Sequence, residues 1–218
     1  MTNIKLTSAM RSNLLSLQST QKLMDTTQQR LSTGLKVNSA IDNPSSYFTA
    51  QGLNQRAGDL EGLLDSMGQG IQTIKAANEG IEAITKLVEQ AKSIVTQYTE
   101  TADTAQQTKL DTQYKEIITQ INDLAKDSGY KGINLLGGDD LTVYFNEEVR
   151  SAASKIEVSG IKIDATGATS TAGGLGMAAD IATDAEAAMD SVIGAINALR
   201  GFASDFGNAY SIVQNREE

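Results

Sequence analysis

The sequence predicts a mainly α fold, built from long amphipathic helices in a thin helix-on-helix arrangement with one short strand-bearing insert. Three observations predict it. Apolar residues recur at spacings of three and four over most of the 218 residues, the mark of helices that turn one face to a partner. Between Ile133 and Gly176 the period drops to two. Hydrophobic residues make up 40% of the chain, enough for a core, but only 5% are aromatic and none is Trp. A chain so short of bulky side chains favours thin packing over a thick globular interior.

The first helix is carried by Met10, Leu14, Leu17, Met24 and Leu31, with Gln21 and Gln28 in two seam positions. This is a narrow, partly polar stripe. Gly34 stands where a helix C-cap belongs and opens the loop GLKVNSAIDN. Pro44, the single proline, suits the first turn of a second helix, because its missing N–H would be unsatisfied there anyway. Asp42 or Asn43 serves as N-cap.

The second helix is very long. Its seam runs through Leu53, Ala57, Leu60, Leu64, Met67, Ile71, Ile74, Asn78, Ile81, Ile84, Val88, Ala91, Val95 and Tyr98, a rod of roughly 80 Å. These positions are read as intramolecular core rather than an exposed partner groove. Gly52, Gly58, Gly62, Gly68, Gly70 and Gly80 interrupt it, each costing up to about 1 kcal/mol of helix propensity, so neighbouring helices must hold it. A third helix follows TETADT with Leu110, Tyr114, Ile117, Ile121 and Leu124, and stops at Ser128 and Gly129. LTVYF (141–145), KIEV (155–158) and GIKI (160–163) are strand candidates, separated by turns at Gly137 and Gly138 and by the run DATGATSTAGGLG. A fourth helix begins near Asp184 and carries Met189, Val192, Ile196, Leu199, Ala203, Phe206, Tyr210 and Val213 on one stripe. It reaches NREE still in register and without a cap.

Composition narrows function. Cys and His are both absent, which removes thiolate and imidazole nucleophiles, bases and metal ligands. No catalytic, cofactor-binding or metal-binding residue is predicted. The net charge of −9 comes from carboxylates spread along the chain, whereas nucleic acid and anionic membranes reward clustered Lys and Arg. The opening residues lack the basic patch and apolar run of a cleaved signal peptide, and no stretch approaches the roughly 18 apolar residues of a membrane span.

Three segments together resemble flagellin: QRLSTGLKVNSAIDNP (29–44), YKEIITQINDLAKDSGYKGINLL (114–136) and AINALRGFASDFGNAYSIVQNREE (195–218). They fall in the family's order, and the segment RSNLLSLQSTQKLMDTTQQRLSTGLKV is most similar to flagellins of alphaproteobacteria. The resemblance implies a long antiparallel helical rod, a coiled-coil-like bundle bearing a small β-hairpin insert. Residues 1–43 would form the filament-core assembly segment, 44–138 and 181–218 the rod, and 139–180 a short variable insert. Family members continue past the NREE region with a helix that pairs with the first one, and this sequence lacks it. The stripe of Met10, Leu14, Leu17, Met24 and Leu31 is therefore expected to be a subunit assembly seam, disordered or masked in a monomer.

The function implied is a secreted, self-assembling structural subunit of the flagellar filament, exported without a cleaved signal peptide and serving motility. Its partners would be other flagellin subunits, a flagellar export chaperone, and hook-associated and cap proteins, with neither nucleic acid nor membrane. The alternatives are a hook–filament junction protein, which shares the first corner motif, and a flagellin-like cell-surface binding protein. The 195–218 segment favours flagellin, and a zinc peptidase is disfavoured because the chain has no His. In flagellins detected by the Toll-like receptor of vertebrate innate immunity, the long helix carries an Arg and, four residues later, a Leu, with a Glu across on the next helix. Gln90, Ile94 and Glu116 occupy those places here, so only weak innate immune receptor contact is implied.

The carboxylate pairs Asp139 with Asp140, Glu147 with Glu148, and Asp123 with Asp127 lack EF-hand spacing and are read as turn or helix-face charges. Gly residues at 68–80 lack the strand-then-helix context of a phosphate loop. Asn38, Ser39, Asp42 and Asn43 are turn and cap residues. Thr166, Thr169, Ser170 and Thr171 are read as a flexible polar loop in preference to O-glycan acceptors. Tyr144 and Phe145 are the only aromatics in the insert that would suit a carbohydrate.

Overall fold

Helix α1 (Ser8–Thr33) is stopped by Gly34, whose left-handed φ of 69° aims its N–H at the Arg30 carbonyl, 2.9 Å away. The computed structural model describes residues 7–147, 154–167 and 174–217, and the chain divides into two compact units, Met1–Gly58 and Asp59–Glu218. In the first unit the corner after α1 is closed by side chains. The Thr33 hydroxyl donates to Asn38 Oδ1 at 2.7 Å, and the Asn38 N–H donates to Asp42 at 3.4 Å. Asn43, one of the two predicted caps, accepts from the Ser46 N–H at 3.1 Å. Helix α2 (Pro44–Glu100) then starts on the proline.

In the second unit α2 is flanked by α3 (Thr104–Asp127) and α4 (Ala185–Glu217). Asp103 caps α3 by accepting the Ala105 N–H at 2.9 Å, and Asp184 caps α4 by accepting from Glu186 and Ala187. Both helices run antiparallel to α2. After the short turn at 101–103, Ser128 at the end of α3 comes back beside Gly80. On the other side, the ammonium of Lys75 lies 5.6 Å from the Tyr210 ring and Gly68 faces Glu217. The shared core contains Ile74, Ile81, Ile84 and Val88 of α2, Tyr114 and Ile121 of α3, and Leu199, Phe206 and Val213 of α4. The fold is therefore mainly α, as the periodicity predicts, with one small antiparallel sheet of β1 (Leu141–Tyr144) and β2 (Lys155–Val158), paired Leu141 to Val158.

Two expectations are corrected. The upstream part of the long seam, Leu53, Ala57, Leu60 and Leu64, is exposed rather than core. Burial on α2 begins at Met67, next to Gly68, which faces Glu217 of α4. GIKI (160–163) is not a strand. Ile161 and Ile163 donate to the carbonyls of Leu135 and Leu136 at 2.6 and 2.9 Å, but that partner segment is bent around Asn134 and leaves only an isolated bridge between Gly137 and Lys162. Phe145 also lies just beyond β1, although its N–H still donates to the Ser154 carbonyl at 2.8 Å. The insert is not a loose appendage. Leu141, Val143, Val158, Leu175 and Met177 belong to the same core as the helices.

Gly70 and Gly80 explain how close the packing is. A Cβ on Gly70 would sit 2.7 Å from Val143 Cγ2 of β1, and one on Gly80 would sit 2.7 Å from Leu136 Cδ1. Their propensity cost is offset by this close approach.

Candidate functional site

The five predicted seam residues lie on α1, a helix of 26 residues with none buried. Its stripe is uncovered: Met10, Leu14, Leu17, Met24 and Leu31 are all exposed, Leu31 to 85%. At about 100° per residue the five fall within one band of the helix surface. Leu15 and Leu23, which the sequence reading omitted, are exposed on the opposite side. Local bonds hold the helix: Thr20, Thr26 and Thr27 hydroxyls donate to carbonyls four residues back, and Gln21 donates to Asp25 at 2.9 Å. Arg30 in the last turn complements the helix dipole. Next to it, Leu35, Val37, Tyr47 and Ala50 line an open groove of about 410 Å³, with Gln51, Asn54 and Gln55 on its rim.

The three receptor-patch positions sit on the other unit. Gln90 and Glu116 are exposed, and the antiparallel pairing of α2 and α3 sets them level with each other. Ile94 is half-buried and packs against the core, which leaves less of it for a partner.

Asp139, Asp140 and Asp123 of the carboxylate pairs are engaged within the chain. Asp139 accepts the Asn134 N–H and Asp140 accepts the Gly160 N–H, each at 2.9 Å. Asp123 pairs with Lys126 at 3.2 Å on the exposed face of α3. Glu148, like Thr169, Ser170 and Thr171, lies outside the described residues. Thr166 is held in a turn by Asp164, which accepts its N–H at 3.1 Å. Among the described residues no group of three His, Cys, Asp or Glu could hold a metal ion, and no helix is long and apolar enough to cross a membrane. Tyr144 and Phe145 are both half-buried, and the Arg216 guanidinium stands 5.2 Å from the Phe145 ring, so the ring is engaged inside the chain.

Sequence reasoning missed Asn134. Its side-chain amide donates to the Ala125 and Lys126 carbonyls at the end of α3, while its Oδ1 accepts the Leu136 and Gly137 N–H groups. One side chain thus satisfies helix-end acceptors and fixes the turn that leads into the sheet. A polar residue shortly after a helix stop was the available signal. Also missed was a cluster on α3. Lys115 pairs with Asp111 at 2.6 Å and Asp180 at 3.2 Å, and these hydrogen bonds raise its pKa. Asp180 is held below the usual carboxylate range, first by the Ala182 N–H and then by Lys115. Immediately before Lys115, burial pushes the Tyr114 phenol up to about 12, and its hydroxyl meets no hydrogen-bond partner among the described residues.

The comparison with known families decides what this architecture is. The family model for the bacterial flagellin N-terminal helical region matches residues 4–140, more than half of the chain. The chain belongs to the bacterial flagellin family. It is 28% identical over 153 residues to a flagellin of Brucella melitensis, covering 70% of this chain and 54% of that protein. It is also 28% identical over 185 residues to flagellin FljM of Caulobacter vibrioides, covering 84% of this chain and 64% of that protein. It thus spans about half to two-thirds of the length of these flagellins. The crystal structure of Bacillus cereus flagellin is similar in fold, with a TM-score of 0.58 at 14% identity over 69% of this chain and 85% of that one. The flagellin resemblance drawn from the three sequence segments is confirmed, including its alphaproteobacterial character.

Proposed function

We propose that this flagellin is a structural subunit of the bacterial flagellar filament, exported and extracellular, and that the apolar face of α1 is its subunit-assembly seam. The observation that carries the reading is α1 itself: a complete helix with Met10, Leu14, Leu17, Met24 and Leu31 all outward and none buried, in a chain of this family. Repeated heterologous contacts that do not close into a ring build an open filament. Residues 1–43 are the assembly segment in this reading, 44–138 and 181–218 the rod, and 139–180 the insert. Partners are other flagellin subunits, with an export chaperone, hook-associated proteins and cap proteins on the route to the filament. The role is structural rather than enzymatic.

The test is incorporation of fluorescently labelled chain into filaments elongating from flagellin seeds. Leu14→Glu with Leu17→Glu should lower incorporation at least tenfold, since each buries a charge in an apolar contact at several kcal/mol. Equal incorporation of the charged variant would remove the seam from α1. For the receptor patch we propose only weak contact, because Gln90 brings no charge and Ile94 is half-buried. Gln90→Arg combined with Ile94→Leu should raise signalling in a receptor reporter assay. Full potency of the unaltered chain would contradict that reading.

A further inference from the structure

We infer that, among the described residues, Met10 and Met24 are the methionines most open to reversible oxidation, and that their sulfoxides switch off the apolar face of α1. The inference rests on the assembly reading only for its biological consequence. Of the five methionines among the described residues, Met10 and Met24 are 58% and 50% exposed, Met189 is half-buried against the core, and Met67 and Met177 are 4% and 2% exposed within it. Thioether oxidation follows access to the sulfur, and the product is a polar, chiral side chain that disrupts apolar contacts.

Both exposed sulfurs lie within the predicted seam, 14 residues or about four helical turns apart, and Leu14, Leu17 and Leu31 make up the rest of the stripe. In the step, a methionine sulfur lone pair attacks one oxygen of hydrogen peroxide. The S–O bond forms as the O–O bond breaks, and the other oxygen leaves as water after taking up the proton. Sulfur loses two electrons and peroxide gains them. A methionine sulfoxide reductase with a two-electron reductant reverses the change. A free subunit is open to this reaction, and a subunit whose stripe is covered by a neighbour is protected, so oxidation marks subunits that have not assembled.

The test treats the purified chain with dilute hydrogen peroxide and follows each methionine by peptide mass spectrometry, alongside fluorescence of an apolar-surface dye. Met10 and Met24 should oxidise at least about tenfold faster than Met67 and Met177. Dye fluorescence should fall as they do and recover on treatment with the reductase. The Met10→Leu, Met24→Leu double variant keeps the stripe apolar and should hold its dye signal under the same treatment. Similar oxidation rates at all four sites would overturn the inference, as would an equal loss of dye signal in the double variant. Neither readout requires a filament. Failure of the seeded incorporation assay would therefore count against the assembly reading alone.

Discussion

Tyr114 carries a cost that a single atom can remove. Its ring is fully buried, and its hydroxyl has no hydrogen-bond partner among the described residues. A buried unsatisfied polar group costs about 1–3 kcal/mol, so Tyr114→Phe should stabilise the chain by roughly 1 kcal/mol, read from the urea midpoint. The same residue sets an alkaline limit. An unfolded tyrosine ionises near its ordinary value of 10, while burial holds the folded one neutral up to about 12. The unfolded state releases its proton first, so stability is intact below about pH 10 and is lost as pH rises towards 12. Tyr114→Phe should shrink that loss relative to the parent chain. Lys115 and Lys155, whose pKa values are raised by Asp111 and Glu157 respectively, titrate in both proteins and cancel in the comparison. At the acid end Asp180 works in the opposite direction. Its depressed pKa gives a contribution present above the unfolded value and lost as pH falls through the folded one.

At the scale of elements, the turn after α3 depends on Asn134. Asn134→Asp replaces the two donors to the Ala125 and Lys126 carbonyls with acceptor oxygens and sets a charge close to Asp139. A loss of roughly 2–4 kcal/mol is expected by chemical denaturation. Gly80→Ala should cost about 1–3 kcal/mol although alanine is the better helix former, because its Cβ would press on Leu136 and Ser128. A gain in stability there would show that the α2–α3 spacing is looser than described. These elements also mark what could be read from sequence. Helix starts and stops were legible because Gly34, Asn43, Pro44 and Asp184 act within a few residues of themselves. The exposure of Leu60 and Leu64 was not, because spacing reports that a face is apolar and is silent on what covers it. Asn134 escaped for a related reason: its bonds reach back eight and nine residues. The five α1 seam positions needed the family resemblance, since periodicity alone does not separate a core face from an assembly face.

For the whole molecule, burial is supplied unevenly. The unit Asp59–Glu218 contains the helices and strands that make the core, from Met67 of α2 to Val213 of α4. Among the described residues of Met1–Gly58, the one complete helix, α1, has no buried residue. A helix of this length without packing is marginal in water, so opening α1 should require little free energy, while opening the core helices should approach the global unfolding value. In the proposed reading stability and assembly are thereby separated: the core folds with contacts from its own chain, and the apolar face of α1 is the part offered to another subunit. Amide hydrogen exchange on the monomer tests this division most directly. Residues 10–31 should exchange at least about a hundredfold faster than residues 67–95, and equal protection of the two segments would contradict it.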